Sequence, residues 1–374
     1  MFIKGVGMTK FGAQAETSQE LVYEATMEAL DDGDFRLEDI DAVVVSAIDT
    51  ESNGERQRLF ASILSSILKK KVPILNPTTV CGGGGAALWT ASQLDYSNIL
   101  VVGVERLLTN NSMRITDEIM MAAERIYEQS EGLNFPAQNA LVAQQYMARY
   151  KATTDDLALI ALKNHQNAFK NPKARFYKKE VTLKQIKKSP VVASPLRLFD
   201  CSLSVNVAAA AILSKEKSDV EITGSSLIVD RMSAFESADM TTWEASKIAA
   251  EEAYKQAGIS PNEVSIAELH DAFTSVELIS YEDLGFAKKG EGKELIRKGV
   301  TSINGRLPVN TSGGLKAKGH PISATGISQI YELVKQMRKQ AGDRQVDNVK
   351  YGLAQNIGGA GSTVTVHIVK NLNN

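Results

Sequence analysis

From Thr17 the chain reads TSQELVYEATMEALDDGDFRLEDIDAVVVSAI: apolar and alanine positions recur three and four residues apart, then give way to the unbroken apolar run in DAVVVSAI. The first part predicts an amphipathic helix opened by a Thr-x-x-Glu capping box, with Thr17 as N-cap and Glu20 three residues on, and the second a buried strand. The same order returns in TTWEASKIAAEEAYKQAGISPNEVSIAELHDA, which lies on the first segment without gaps at an offset of 224 residues, Thr17 to Thr241. Thr241 and Glu244 then stand as the second capping box. Each copy also follows a glycine-containing, β-rich segment, FIKGVGMTKFG in one and EITGSSLIVDRMSAF in the other. A self-similar period of this length marks a duplicated unit.

Later features keep the same order. After its strand the first half predicts a polar helix (GERQRLFASILSSILKK), a short strand, a glycine-rich turn at Cys81, a buried helix and the strand NILVVGV. The second half offers TSVELISYEDLGF, the turn TSGGLKAKGHPISATG, a helix from Ile327, and strands at VKYGLAQN and STVTVHIV. The stretch between them is richer in Lys, Tyr and charge, and reads as an insertion over the first half. The expected class is α/β with two pseudo-symmetric halves: residues 1–106 and 201–220 form the first, 107–200 the insertion, and 221–374 the second.

Composition narrows the picture. The net charge of −2 gives no global reason for nucleic acid or an anionic membrane as partner, so anionic ligands must meet local cations. The N-terminus lacks the apolar core of a signal peptide and no run approaches the roughly 18 apolar residues of a membrane span, so a soluble, cytoplasmic protein is expected. The two cysteines, Cys81 and Cys201, are expected as unpaired thiols.

Cys81 sits in VCGGGGAALWTA at the first turn of a helix, where the dipole and unpaired N–H groups favour a thiolate, and the glycines would let a substrate approach and leave amides for an oxyanion. His320, fixed before Pro321 in GGLKAKGHPISATG, suits a proton carrier for that thiol. His270 in ELHDAFT and Asn356 in AQNIGGAGST stand in two further polar turns that could face the same point. His165 and His367 are read as structural. Met120 and Met121 suggest an apolar wall near the site or ordinary core.

These motifs resemble the thiolase superfamily over essentially the whole chain: Cys81 in VCGGGGAALWTA, LVVGVERL, ELHDAFT, LPVNTSGGLKAKGHPISATG and NIGGAGST. The resemblance is to its archaeal and actinobacterial acetyl-CoA C-acetyltransferase branch, similar to sterol-carrier-protein-type thiolases. It implies two five-stranded halves stacked as a five-layer αβαβα sandwich with an inserted loop domain. It further implies that Cys81 carries an acyl group from acyl-CoA and His320 activates it. The amides of Cys81 and Gly358 would hold the tetrahedral oxyanion, and His270 with His320 would polarise the second thioester. Gly319 and Ser312 would contribute to substrate binding. No cofactor is implied beyond coenzyme A as substrate and product, and no metal. A homodimer or dimer of dimers is implied, with a small zinc-ribbon/OB-fold partner and a hydroxymethylglutaryl-CoA synthase as associated proteins.

The sequence departs from the family at its second catalytic cysteine, since Asn356 and Ala272 stand at the two positions that carry it. Cys201 in LFDCSLSVNVAAAAIL matches no catalytic position, and Asn206-Val207 replaces an Asp-Gly pair. Three routes remain: His270 as the base with Claisen chemistry retained, a decarboxylative or hydrolytic reaction, or retro-aldol cleavage. Retention of Cys81 argues against the third, and the favoured reading is the first, reversible condensation of two acetyl-CoA. From another class stands an acyl-CoA binding or channelling subunit without turnover. For CoA itself, Lys170, Arg175, Lys178 and Phe176 in the insertion offer cations for phosphates and an aromatic for adenine.

Overall fold

The structure, a computed structural model, describes residues 1–13, 15–48, 55, 57–108 and 112–373. The first half runs β1 (Phe2–Met8), α1 (Ser18–Gly33), β2 (Ala42–Ser46), α2 (Phe60–Leu68), β3 (Ile74–Leu75), α3 (Gly83–Gln93) and β4 (Asn98–Arg106). The insertion holds α4 (Ser112–Met120), α5 (Phe135–Tyr150), α6 (Thr154–Lys170), α7 (Leu183–Lys188) and the small hairpin of β5 (Val191–Ala193) and β6 (Leu196–Arg197). The chain rejoins the first half through β7 (Asn206–Ser214). The second half follows as β8 (Val220–Val229), α8 (Glu244–Ala257), β9 (Ile266–Glu268), α9 (Thr274–Asp283), α10 (Gly292–Arg297), α11 (Thr325–Met337), β10 (Tyr351–Gly358) and β11 (Thr363–Asn371). Residues 54 and 56, at the start predicted for the polar helix, lie outside the described residues; α2 begins at Phe60.

The strand order is β3-β2-β4-β7-β1-β8-β11-β10-β9. The seam between the halves is narrow, pairing Phe2 with Glu221 and Ile3 with Val220. Outward from it both halves follow one plan: β1-β7-β4-β2-β3 in the first, and β8-β11-β10-β9 in the second, with β2 parallel to β4 as β9 is to β10. Five strands per half were expected, and here the second half differs. Its outermost position is a single parallel bridge between Ala267 and Val309, because Asn310, at a φ of 56°, turns the chain away at once.

α1 covers the outer face of the first sheet and α8 that of the second, while α3 and α11 pack together between them, giving five αβαβα layers. Every residue of α11 from Thr325 to Val334 is buried. The middle layer is thin because glycines meet where its helices cross: a Cβ on Gly84 would stand 2.7 Å from the Gly326 amide nitrogen, and one on Gly326 would overlap Gly85. Gly83 in turn lies against the Ser46 side chain. The glycines after Cys81 thus let two helices touch; the expectation that they clear space for substrate is corrected.

Helix starts divide in the same way. Thr17 Oγ1 accepts the Glu20 N–H at 3.2 Å while the Glu20 carboxylate accepts the Thr17 N–H at 2.8 Å, the predicted capping box. At α8 the expected Thr241 cap is corrected: the helix begins after Trp243, whose N–H donates to Asp283 Oδ2 at 2.7 Å, and Thr241 bonds Asp239 instead. Among the described residues no helix is long and apolar enough to cross a membrane.

Candidate active site

Turns from both halves meet at one cavity of about 190 Å³, whose wall includes Cys81, His270, His320 and, on the apolar side, Leu107, Phe135 and Trp243. Cys81 lies in a single 3-10 turn, Val80–Gly82, that leads into α3. Val80 before it is held at a φ of 49°, a strained conformation for a β-branched residue. Burial first, and the nearby Glu105 carboxylate second, push the Cys81 thiol up to about 12, against the opposing N–H groups of Cys81 and Gly359. Desolvation thus works against the thiolate expected from the helix start and favours the protonated thiol at rest. The amide beside the thiol belongs to Gly359, which lines the cavity; Gly358, the expected partner, packs on Gly82 instead.

His320 is pinned by its backbone N–H to Leu203 O at 2.8 Å, and its Nδ1 lies 3.4 Å from Ser202 Oγ. Its Nε2 is buried with no partner among the described residues. Burial lowers its pKa to about 4, so the ring is neutral and can accept a proton.

His270 sits just past β9. Asn310 Oδ1 accepts the neighbouring Leu269 N–H at 2.7 Å, and the Asp271 carboxylate accepts the Leu315 and Lys316 amides at 2.6 and 3.2 Å, so the turn is fixed on both sides. The His270 ring meets His320 edge-on with centroids 5.1 Å apart, and burial, then His320, lower its pKa well below the usual value. Asn356 on β10 joins these parts: its Oδ1 accepts the Gly85 N–H at 3.0 Å, and its Nδ2 lies 2.8 Å from Cys81 O and 3.2 Å from His270 Nδ1.

The proposed substrate residues divide. Arg175 and Phe176, with Lys179, line a groove that shares Ser204 with the cavity. Lys170 lines a separate groove with His165, and Lys178 lies over the Tyr177 ring, so neither joins the first groove. Ser312 is buried and donates to Glu268, and Gly319, at a φ of 129°, packs on Val205 and Phe11; both brace the histidine turn and neither lines the cavity. Met121 is 60 % exposed, and Ile119 supplies the wall expected of the two methionines.

Cys201, set aside in the sequence, does line the cavity. Its neighbour Ser202 donates its N–H to Ala272 O at 2.8 Å, which brings this segment against the turn of His270. Burial raises its thiol to about 11. Both cysteines are unpaired thiols. His367 is structural, with Nε2 3.1 Å from Gly85 O and Nδ1 3.0 Å from Ser225 Oγ. His165 is packed edge-on against Phe176 and Phe199.

A duplicated αβαβα fold that brings one cysteine turn and two histidine turns into one cavity defines a thiolase-like enzyme. Family comparison agrees: the model described as Thiolase, N-terminal domain matches residues 1–195, and Thiolase C-terminal domain-like matches 226–371. The chain belongs to the thiolase family and is an enzyme of its acyltransferase class. It is 36 % identical over 376 residues to an acetyl-CoA acetyltransferase of Methanothermobacter thermautotrophicus, covering 97 % of each chain. It is 35 % identical to one of Methanocaldococcus jannaschii, covering 98 % of each, and 32 % identical to human sterol carrier protein 2 over 97 % of this chain and 71 % of that one. Among solved structures, the Ltp2-ChsH2(DUF35) aldolase superposes with a TM-score of 0.84 at 24 % identity, covering 99 % of this chain and 97 % of that one. Human mitochondrial 3-ketoacyl-CoA thiolase gives 0.76 at 18 %, covering 99 % and 98 %. At these identities the two structures speak for the fold.

Proposed function

We propose that the chain catalyses reversible Claisen condensation of two acetyl-CoA to acetoacetyl-CoA and CoA through an acyl-Cys81 intermediate. One observation carries this reading: Cys81 shares one cavity with His320, whose buried Nε2 has no partner among the described residues. Cys81 Sγ attacks the thioester carbon as its proton passes to His320 Nε2; the carbon–sulfur bond to CoA breaks, and CoA leaves with that proton. His320, neutral again, takes the α-proton of the second acetyl-CoA while His270 holds the enolate oxygen. The enolate carbon attacks the acyl carbon, the bond to Cys81 breaks, and the proton returns to sulfur. One proton carrier thus serves both halves of the reaction, which suits a site with Asn356 and Ala272 where the family has a second thiol. Cys201, raised by burial, stays a thiol and acts as wall.

The groove at Ser204 supports CoA entry from outside, with Arg175 and Lys179 for phosphates and Phe176 for adenine. The small cavity, walled in part by Phe135 and Trp243, suits a short acyl group. Exposed Met121, Ile126 and Tyr127 suit an assembly, as a homo-oligomer or with a small zinc-ribbon/OB-fold partner. Intact-protein mass spectrometry after incubation with acetyl-CoA tests the reading: one acetyl group should appear on Cys81 and be absent from Cys81→Ala. A wild-type protein that gains none, and cleaves no acetoacetyl-CoA, is a binding subunit instead.

A further inference from the structure

Asn356 has no step of its own in that scheme, yet it is the side chain that ties the cysteine turn to the histidine turn. It is buried, and two of its partners fix the direction of its amide independently. The Gly85 N–H only donates, so the atom 3.0 Å from it is the amide oxygen; the Cys81 carbonyl only accepts, so the atom 2.8 Å from it is the amide nitrogen. One Nδ2 hydrogen is directed to Cys81 O, which leaves the other for His270 Nδ1 at 3.2 Å. A ring nitrogen that receives an N–H must present its lone pair, and a neutral imidazole then carries its proton on the other nitrogen.

We propose that Asn356 is a positioning residue that locks His270 in the Nε2–H form, making it a hydrogen-bond donor to the substrate oxygen and removing it as a base. The donor role rests on the acyl-transfer reading above; the lock itself rests on the hydrogen bonds alone. The lock corrects the route favoured from the sequence, in which His270 takes over from the missing thiol: Nδ1 is occupied and Nε2 already holds its proton. It also couples the two turns, since the amide that orients His270 holds the carbonyl of the nucleophile. An aspartate at this position would invert the pattern. Its oxygens accept only, so it would demand a proton on His270 Nδ1 and would set an oxygen against the Cys81 carbonyl.

Nitrogen-15 NMR of histidine-labelled full-length protein reads the tautomer directly, with His270→Gln assigning the signal. Wild type should show the Nε2–H pattern, and a dominant Nδ1–H pattern overturns the proposal without any variant. Asn356→Asp should move the signal to Nδ1–H or to the imidazolium, and Asn356→Ala should give mixed tautomers; a signal unchanged in both also overturns it. If Asn356→Asp fails to fold, wild type and Asn356→Ala decide. In Asn356→Asp, transfer from acetyl-Cys81 to the second acetyl-CoA should slow about 100-fold, the loss typical of one oxyanion donor, while acetylation of Cys81 falls less than about tenfold. Equal loss in both steps would mean a merely structural role. Failure of wild type to acetylate sinks the acyl-transfer reading and leaves the tautomer result standing; an acetylating enzyme with Nδ1–H His270 does the reverse.

Discussion

The two halves place the same strand-end turn in the same frame and put different chemistry in it. At the repeat offset His270 corresponds to Ser46, whose hydroxyl lies against Gly83 and has no partner among the described residues. The cysteine turn is set in apolar surroundings, with Val80 and Cys81 packed on Leu107, Ile115 and Ile322. The histidine turns are set in a buried polar network. Glu268 accepts the Ser312 N–H at 3.0 Å, and Glu277 accepts from Asn164 and Asn310 at 2.6 and 2.9 Å and pairs with Lys163 at 2.8 Å. An apolar setting keeps a thiol protonated until it attacks; directional bonds keep an imidazole lone pair aimed. Duplication supplied the frame twice, and each copy then took one of these roles.

That division breaks hardest at His320. In the proposed scheme His320→Ala removes the proton carrier for both half-reactions, so Cys81 acetylation and acetoacetyl-CoA cleavage should each fall about 1000-fold, within the range for a general base. Cys201→Ser is the paired control, since Cys201 stays a protonated wall group, and its turnover should match wild type. A large loss in Cys201→Ser with acetylation intact would assign the α-proton to the second thiol and overturn the single-carrier scheme.

Next in size is the frame the halves share. Gly326→Ala puts a methyl onto the Gly85 backbone, where no flexible side chain can give way, so the middle layer must spread. Overpacking of this kind should cost about 2 kcal/mol in chemical denaturation. A variant as stable as wild type would show that α3 and α11 do not need their glycines to cross.

Much of this frame could be read from the sequence because repetition and period are local signals. The 224-residue offset, α1, β2, β4 and α11 all follow from spacing that the chain displays. What the sequence missed depends on partners far along the chain. The start of α8 is held by Asp283, 40 residues away, which accepts the Trp243 N–H, and no pattern near Thr241 announces it. A one-residue bridge at Val309 leaves no period to detect. Cys81, His270 and His320 could be picked out by type and setting, but the state of the thiol depends on burial and on Glu105, and that of His270 on an asparagine from β10. Cys201 joined the wall through an isolated bridge to Phe273 that its own segment does not encode.

Smallest per pH unit is the effect that tests the tie between halves. His367 on β11 reaches across to Gly85 of α3: the Gly85 carbonyl only accepts, so Nε2 donates to it at 3.1 Å. Burial lowers its pKa to about 4, from an ordinary value of 6.5. Between those values the unfolded chain holds a proton at this residue and the folded chain does not, so acid favours unfolding and stability rises with pH. Several buried carboxylates, Asp283 among them with its pKa raised to about 6, act in the opposite sense, so the pH profile of wild type alone does not isolate the histidine. The difference between wild type and His367→Gln does, because the carboxylates are common to both. Above pH 6.5 wild type should be the more stable, by the worth of the bonds to Gly85 and Ser225. As pH falls from 6.5 toward 4 its advantage should shrink by about 1.4 kcal/mol per pH unit, one proton's worth. Denaturant midpoints measured for both proteins across that range check it; a constant gap would mean that His367 takes up its proton in the folded state and that the Gly85 contact survives as an imidazolium.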